Sequence, residues 1–445
     1  MRLSTPETVR TLQRKLYARA KQEPGFRFYA LYDKLYRADI LSHAYGLVRS
    51  NRGAPGVDGQ SFEAIEAEEG KERFLQRLRE QLENKTYRAD AVRRVWIPKP
   101  DGSKRPLGIP TIRDRVVQMA AKLVMEPIFE ADFCESSYGF RPERSAHDAV
   151  DAVAEALLAG HCHVIDADLS KYFDTIPHAK LLAVVAERIS EGAILALIKQ
   201  WLKAAVVEED EDGTRRTGGG GKGNRQGTPQ GGVISPLLAN LYRHLLDRIW
   251  ERHDLAGAYG ARLVRYADDL VIVCARGVEQ PMRVLRRVLE RLGLSLNEAK
   301  TRVVDAREQS FDFLGFSFRL RRSRHSGKRY PHVEPSKRSV QRIKDRTKQL
   351  THRRRTPVPM PQIIGELNRT LRGWSNYFHH RNCTQALSKV KMHVEERVRT
   401  HLRRRHKLVS RAQAYRRFPG QVIYGRYGLF KLPTTAPWRT THALA

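Results

Sequence analysis

Ten residues near the middle of the chain, Val264-Arg265-Tyr266-Ala267-Asp268-Asp269-Leu270-Val271-Ile272-Val273, constrain the fold more than any other stretch. Apolar runs at Leu263-Val264 and Leu270–Val273 flank an acidic pair, a pattern that predicts a short β-hairpin with both carboxylates at its tip. Adjacent carboxylates at a tight turn repel each other unless a cation stands between them. Mg²⁺ suits that place, because it takes hard oxygen ligands from one or two carboxylates and fills its other positions with water and phosphate. A solvated acidic turn has the same local sequence. The hairpin becomes a site only if the chain supplies a further carboxylate and a phosphate-binding surface.

The further carboxylate comes 100 residues upstream of Asp268, in His163-Val164-Ile165-Asp166-Ala167-Asp168-Leu169. Period-2 alternation puts Val164, Asp166 and Asp168 on one face of a strand and Ile165, Ala167 and Leu169 on the other. Burying the acidic face is costly unless a cation neutralises it. The aromatic pair Tyr172-Phe173 that follows reads as core, or as a floor under a bound sugar. A phosphate-binding candidate lies nearer the N-terminus. Residues Arg93–Pro110 predict a hairpin turned by Asp101-Gly102, with Lys99 and Arg105 beside the turn. Arg offers a bidentate fork and Lys a point charge, so a triphosphate is one natural ligand, and a solvated basic hairpin is the other reading.

Between these lie ordinary helical signals: Thr8–Ala20, Glu72–Leu82, Asp114–Phe129, Ala146–Leu158 capped by Ser145, and a region from Ala179 to Ala205. An acidic patch, Glu208–Asp212, precedes a glycine run, Gly218–Gly223, that reads as a flexible hairpin tip. Gln226-Gly227-Thr228-Pro229-Gln230-Gly231-Gly232 differs: its paired glycines let a backbone approach a ligand closely, and Ser235-Pro236 starts a helix. After the acidic hairpin come a helix stopped by Gly293, a short predicted strand Leu294–Leu296, Lys300, and an aromatic strand pair, Phe311–Phe318.

Charge divides the chain. Lys plus Arg number 81 against 49 Asp plus Glu, a net charge of +32, and Arg319–Ala445 alone carries 32 basic and 5 acidic residues. A near-neutral body is thus joined to a strongly basic C-terminal part, whose partner should be a polyanion, most simply nucleic acid. That part shows three apolar stripes at helical spacing: Val340, Ile343 and Leu350; Ile363, Leu367, Leu371 and Trp374; Leu387, Val390, Val394, Val398 and Leu402. Basic clusters beside them, Arg353, Arg354 and Arg355 and Arg403, Arg404 and Arg405, favour RNA binding. Cys134, Cys162, Cys274 and Cys383 stand apart, which argues against disulfides and a cysteine zinc site. No stretch approaches the roughly 18 apolar residues of a membrane span, so the expected location is cytoplasmic, with no membrane partner.

Taken together, the basic hairpin, the Asp-bearing strand with its aromatic pair, the Gln-Gly-Gly loop, Tyr-Ala-Asp-Asp, the Lys-bearing segment and the aromatic strand pair resemble the fingers and palm of reverse transcriptases. With Gly139-Phe140-Arg141-Pro142, Gly227–Pro236 and Gly373-Trp374-Ser375-Asn376-Tyr377-Phe378, the chain is similar to bacterial group II intron reverse transcriptases and maturases. The resemblance covers roughly Leu12 to Trp438. It implies an α+β right-hand polymerase fold: an N-terminal helical extension (1–60), fingers and a palm with an antiparallel sheet (61–320), a helical thumb or maturase domain (321–410), and a basic tail (411–445) suggesting nucleic-acid contact. It further implies two Mg²⁺ ions held by Asp168, Asp268 and Asp269, an incoming triphosphate bound by Lys99 and Arg105, and Gln230 under template and nucleotide. Phe173 would exclude a 2′-hydroxyl, and Lys300 would lie near the leaving phosphates. Implied partners are group II intron RNA, an RNA template with a DNA primer, dNTPs and a DNA target. Nothing after Arg439 matches the zinc-bearing HNH nuclease of many relatives, so that domain is not expected. The alternatives are a splicing-only maturase, or a domesticated relative serving phage defence or repair. Spacing to the aromatic pair, together with the resemblance, favours Asp168 over Asp166 as the ligand and leaves Asp166 as a supporting or structural acid.

Overall fold

The computed structural model describes residues 3–98, 102, 104–209 and 214–437. Lys99, Asp101 and Trp438, named above, lie outside these, as do residues 210–213. In chain order the strands are β1 (Val92–Pro98), β2 (Lys104–Ile109), β3 (His163–Asp168), β4 (Val206–Glu209), β5 (Arg215–Gly219), β6 (Ala261–Tyr266), β7 (Asp269–Cys274), β8 (Arg302–Asp305), β9 (Phe311–Phe313), β10 (Phe316–Arg322) and β11 (Arg329–Pro335). They form three sheets, ordered β2-β1-β4-β5, β6-β7-β3-β8 and β11-β10-β9.

The sheet β6-β7-β3-β8 is antiparallel throughout and divides the body in two. Alternation along β3 and β7 sends Ile165, Ala167, Leu270 and Ile272 into a core shared with the helices Ile112–Glu130 and Ser235–Arg252. The other face sends Val164, Val271 and Val273 into a second core with the helix Ala146–Leu158 and the phenylalanines of β9 and β10. Because side chains alternate, Asp166 and Asp168 follow Val164, and Asp269 follows Val271 and Val273. The acidic residues of both strands therefore emerge on one side of the sheet.

The N-terminal helices Glu7–Gln22 and Ala38–Ser50 bury Val9, Leu16, Ile40 and Ala44 in the first core. They cap the Ile112–Glu130 helix, and Gln13 Nε2 and Lys21 Nζ donate to the Leu123 and Ala131 carbonyls, each at 3.0 Å. The same helix starts earlier than its apolar pattern predicts, at Ile112 behind a Thr111 cap, because Asp114 turns inward. Asp114 is 2 % exposed and accepts hydrogen bonds from Tyr87 Oη (2.7 Å) and the Asp90 amide (2.8 Å), joining the helix to the approach to β1.

Burial pushes the Asp114 carboxyl up to about 6, against the opposing bond from Tyr87. A carboxyl raised above its unfolded value of about 3.9 favours the fold fully below that pH, and the contribution is lost as pH rises through about 6. Urea unfolding across pH 4–7 is expected to show this loss in the wild type, and a shallower profile in Asp114→Asn by on the order of 2 kcal/mol. Superimposable profiles would rule out this residue as the source.

Two expectations are corrected by long-range pairing. The acidic and glycine-rich stretches are not merely a patch and a flexible tip, since β4 pairs parallel to β1 and antiparallel to β5. Glu208 reaches Arg94 Nη1 at 3.1 Å, and a Cβ on Gly218 would lie 2.6 Å from Glu208 Oε1, so glycine there makes room for an ion pair. The predicted strand Leu294–Leu296 contributes one bridge, Leu169 to Leu296.

The C-terminal helices Lys337–Leu350, Met360–Phe378 and Thr384–Arg405 turn the three predicted stripes into a third core. Phe418, Ile423, Leu429 and Leu432 from the following segment join it. Among the described residues no helix is long and apolar enough to cross a membrane.

Candidate active site

The register of β3 against β7 sets Asp168 directly opposite Asp269. Residues so paired stand about 5 Å apart at their Cα atoms, which is within reach of one cation for two carboxylates. Tyr266 pairs with Asp269 across β6–β7, leaving Ala267 and Asp268 as a two-residue turn. Asp268 is thus the third carboxylate at the mouth of the same sheet. Asp166 lies two residues back on that face, opposite Val271 on one side and Arg302 on the other. Burial, opposed by Arg302 and reinforced by Asp168, raises its carboxyl to about 6.

Asp269 borders the open cleft, yet the protein packed around it removes much of its hydration. That desolvation, and then Asp268 beside it, push its carboxyl up to about 6. Such mutual penalty is what a missing countercharge produces. Hard oxygen donors from two strands and a turn fit a divalent cation, and the exposed Lys300 at its edge leaves the cluster underneutralised. Lys300 Nζ stands 3.8 Å from Asp168 Oδ2 and remains largely exposed. Asn297 N donates to the Asp168 carbonyl (2.8 Å) and Lys300 N to the Asn297 carbonyl (3.0 Å), so the backbone sets the lysine beside the acid.

A buried polar network supports the turn. Arg265 is 0 % exposed; its Nε donates to both Asp247 oxygens at 3.1 Å, its Nη1 to Asn240 Oδ1 at 2.7 Å and its Nη2 to Ser137 Oγ at 2.6 Å. Asn240 Nδ2 in turn donates to the Gly139 carbonyl at 2.6 Å. Gly139 must be glycine, because a Cβ there would fall 2.1 Å from the Ala267 amide nitrogen. Arg141 clamps the same loop by donating to Glu130 and to the Cys134 and Ser137 carbonyls. The Gly139–Pro142 motif thus braces the acidic turn from behind. Sequence reading missed Arg265, Asp247 and Asn240. The available signal was an arginine in phase with the buried residues Ala261 and Leu263 of its strand.

The Gln230 loop ties three elements together. Thr228 N donates to the Phe173 carbonyl (2.7 Å), Gly227 N to that of Ile176 (2.8 Å), and Gly108 N to that of Gln230 (2.5 Å). Arg105 Nε donates to Gln230 Oε1 at 2.8 Å, while Gln230 Nε2 donates to Asp174 Oδ1 at 3.3 Å. Arg105 and Gln230 are therefore joined in the structure, and Phe173, 9 % exposed, lies beneath the loop with its ring edge-on to Tyr172 at 5.5 Å.

The basic clusters lie apart, on the C-terminal helical body. Arg353, Arg354 and Arg404 are exposed and Arg403 is half-buried. Arg355 is paired with Glu366 (2.8 and 2.9 Å), and Arg405 Nη1 donates to the Thr356 and Val358 carbonyls. Helix geometry turns these two inward, where they hold the fold together.

A carboxylate centre at the open end of an antiparallel palm sheet, fronted by a separate sheet bearing Arg105 and followed by a helical body, defines a right-hand nucleic-acid polymerase. Residues 97–318 match the family model for reverse transcriptase (RNA-dependent DNA polymerase), and residues 340–418 match the group II intron maturase-specific domain. The chain belongs to the group II intron reverse transcriptase family, whose activity is RNA-directed DNA polymerisation with divalent metal ions. It is 34 % identical over 369 residues to "Protein YkfC" of Escherichia coli (strain K12), an alignment covering 74 % of this chain and 93 % of that protein. It is 29 % identical over 369 residues to "Group II intron-encoded protein LtrA" of Lactococcus lactis subsp. cremoris, covering 68 % of this chain and 59 % of that one. A third relative, "Uncharacterized 91 kDa protein in cob intron" of Schizosaccharomyces pombe, is 27 % identical over 423 residues, 78 % of this chain and 50 % of that protein.

Proposed function

We propose that the chain extends a DNA primer on an RNA template with dNTPs, using two Mg²⁺ ions held by Asp168, Asp268 and Asp269. The observation that carries this reading is the β3–β7 register, which sets Asp168 opposite Asp269 with Asp268 at the adjoining turn. When bound, the ions lower the pKa of the primer 3′-hydroxyl and neutralise the charge that develops on the departing pyrophosphate. The protein's own part is orientation. Arg105 and Lys99 bind the triphosphate, and Lys300 meets the negative charge beside Asp168. Gln230, held between Arg105 and Asp174, supports the template–nucleotide pair.

The C-terminal helical body and the N-terminal helices bind group II intron RNA, through exposed arginines such as Arg353, Arg354 and Arg404, and a DNA target takes the intron's copy. In this division residues 1–60 are the extension, 61–320 the fingers and palm, 321–410 the thumb or maturase domain and 411–445 the basic tail. Purified protein should incorporate dNTPs on an RNA template only with added Mg²⁺. Intron splicing without any polymerisation at any Mg²⁺ concentration would refute the polymerase half of the proposal.

Phe173 excludes the ribose 2′-hydroxyl. Replacing it with Val opens the space of several carbon atoms, and discrimination against ribonucleotides is expected to fall by at least about tenfold, the usual scale for small steric changes in a pocket. Equal discrimination in Phe173→Val and wild type would remove Phe173 from this role.

A further inference from the structure

Behind the acidic turn stands a cation that the chemistry above does not use. Arg243, from the Ser235–Arg252 helix, is 1 % exposed. Its Nη1 donates to the Ala267 carbonyl, at the tip of the β6–β7 hairpin, and its guanidinium lies 5.1 Å from the centre of the Tyr172 ring. Its Nε and Nη2 have no hydrogen-bond partner among the described residues. The neighbouring Arg265 places all three of its nitrogens on Asp247, Asn240 and Ser137, and its like charge bears on Arg243. A buried guanidinium with two idle donors is costly, and something must offset it. The charges that do so are Asp247 behind it and Asp268 in front.

The turn needs such a support. Ala267 adopts φ +53°, a left-handed conformation unusual for a residue with a Cβ, and places two acids side by side. Gly139 lies so near its amide nitrogen that a Cβ there would not fit, and Arg243 donates to its carbonyl. Together the two contacts clamp both ends of the strained residue.

We infer that Arg243 is a positioning residue that holds the Ala267–Asp268 turn in ligand-ready form before any metal arrives, its hydrogen bond fixing the turn and its charge offsetting the repulsion between Asp268 and Asp269. This rests on the reading of Asp268 and Asp269 as metal ligands. In the metal-bound state the cation supplies the same neutralisation, so the demand on Arg243 falls.

Amide hydrogen exchange of residues 266–270, measured on the full chain without metal and again with Mg²⁺, separates the two claims. Arg243→Met is expected to speed exchange in the turn at least about tenfold without metal, with Mg²⁺ closing most of the gap. Its primer extension should need about tenfold more Mg²⁺ for half-maximal rate, while the rate at saturating Mg²⁺ and the KM for template–primer stay close to wild type. Arg243→Lys keeps the buried charge, and therefore the fold should Met disrupt it, but loses the forked head. It is expected to lie between Met and wild type in both measurements. Wild-type-like exchange in the metal-free turn of a folded Met or Lys variant would overturn the role given to Arg243. If Mg²⁺ alters exchange in the turn of neither the wild type nor the variants, the metal assignment fails instead, while the metal-free comparison still decides the role of Arg243.

Discussion

Asp268→Asn and Asp269→Asn each reduce primer extension on an RNA template by at least about a thousandfold, which is roughly 4 kcal/mol of transition-state stabilisation. Asparagine keeps the shape of each side chain and removes one negative charge. If the acids serve only to build the hairpin, that exchange costs little, because Asp269 is already penalised by burial and by Asp268 next to it. Relief of repulsion should leave the metal-free thermal stability of Asp269→Asn equal to wild type or higher, whereas Asp268→Asn also removes a charge that offsets Arg243 and should stay folded with little net change. The expected signature is thus loss of activity without loss of fold. Primer-extension rates and melting curves on the same preparations test it, and near-wild-type extension by either variant would sink the site as drawn. Asp166→Asn should be milder, since Asp166 lies two residues back from the paired acids and opposes Arg302.

Arg265→Met is expected to destabilise the protein by about 3–5 kcal/mol, the cost of leaving a buried charge without its partner. Asp247 is 0 % exposed and has Arg265 as its ion-pair partner, with His244 a more distant neighbour at 4.0 Å. Removing the guanidinium also strips hydrogen bonds from Asn240 and Ser137, and through Asn240 loosens the Gly139 carbonyl behind the acidic turn. Activity should therefore fall even at temperatures where the variant is folded. The double variant Arg265→Met/Asp247→Leu, which removes both charges, should recover much of the stability and little of the activity. Denaturant unfolding of the three proteins provides the comparison. A single-variant cost below about 1 kcal/mol would mean the pair is not the support described here.

Much of this organisation was legible because it is local or periodic. The hairpin around Asp268, the acidic strand ending at Asp168, the aromatic strand pair and the C-terminal stripes all follow from alternation or helical spacing. The family resemblance drawn from the order of motifs is borne out by the reverse transcriptase and maturase matches. What remained illegible depends on partners far away in the chain. The pairing of β4 with β1 joins residues more than 110 positions apart, and no local pattern distinguishes such a strand from an acidic loop. Arg355 and Arg405 belong to clusters that read as one charged surface, yet each is turned toward acceptors within the helical body.

The acidic turn shows where the two sources of information divide. By itself the sequence determined which residue types stand at the tip of the hairpin, which face of β3 is acidic and which segment carries the excess positive charge, because composition and periodicity are properties of neighbouring residues. Only the tertiary structure decided that Asp168 rather than Asp166 faces Asp269, since strand register comes from packing both faces of the sheet at once. It alone placed Arg265, Asp247 and Arg243 beneath the turn. Buried polar groups are held by partners drawn from separate elements, and their meaning appears only when those elements meet.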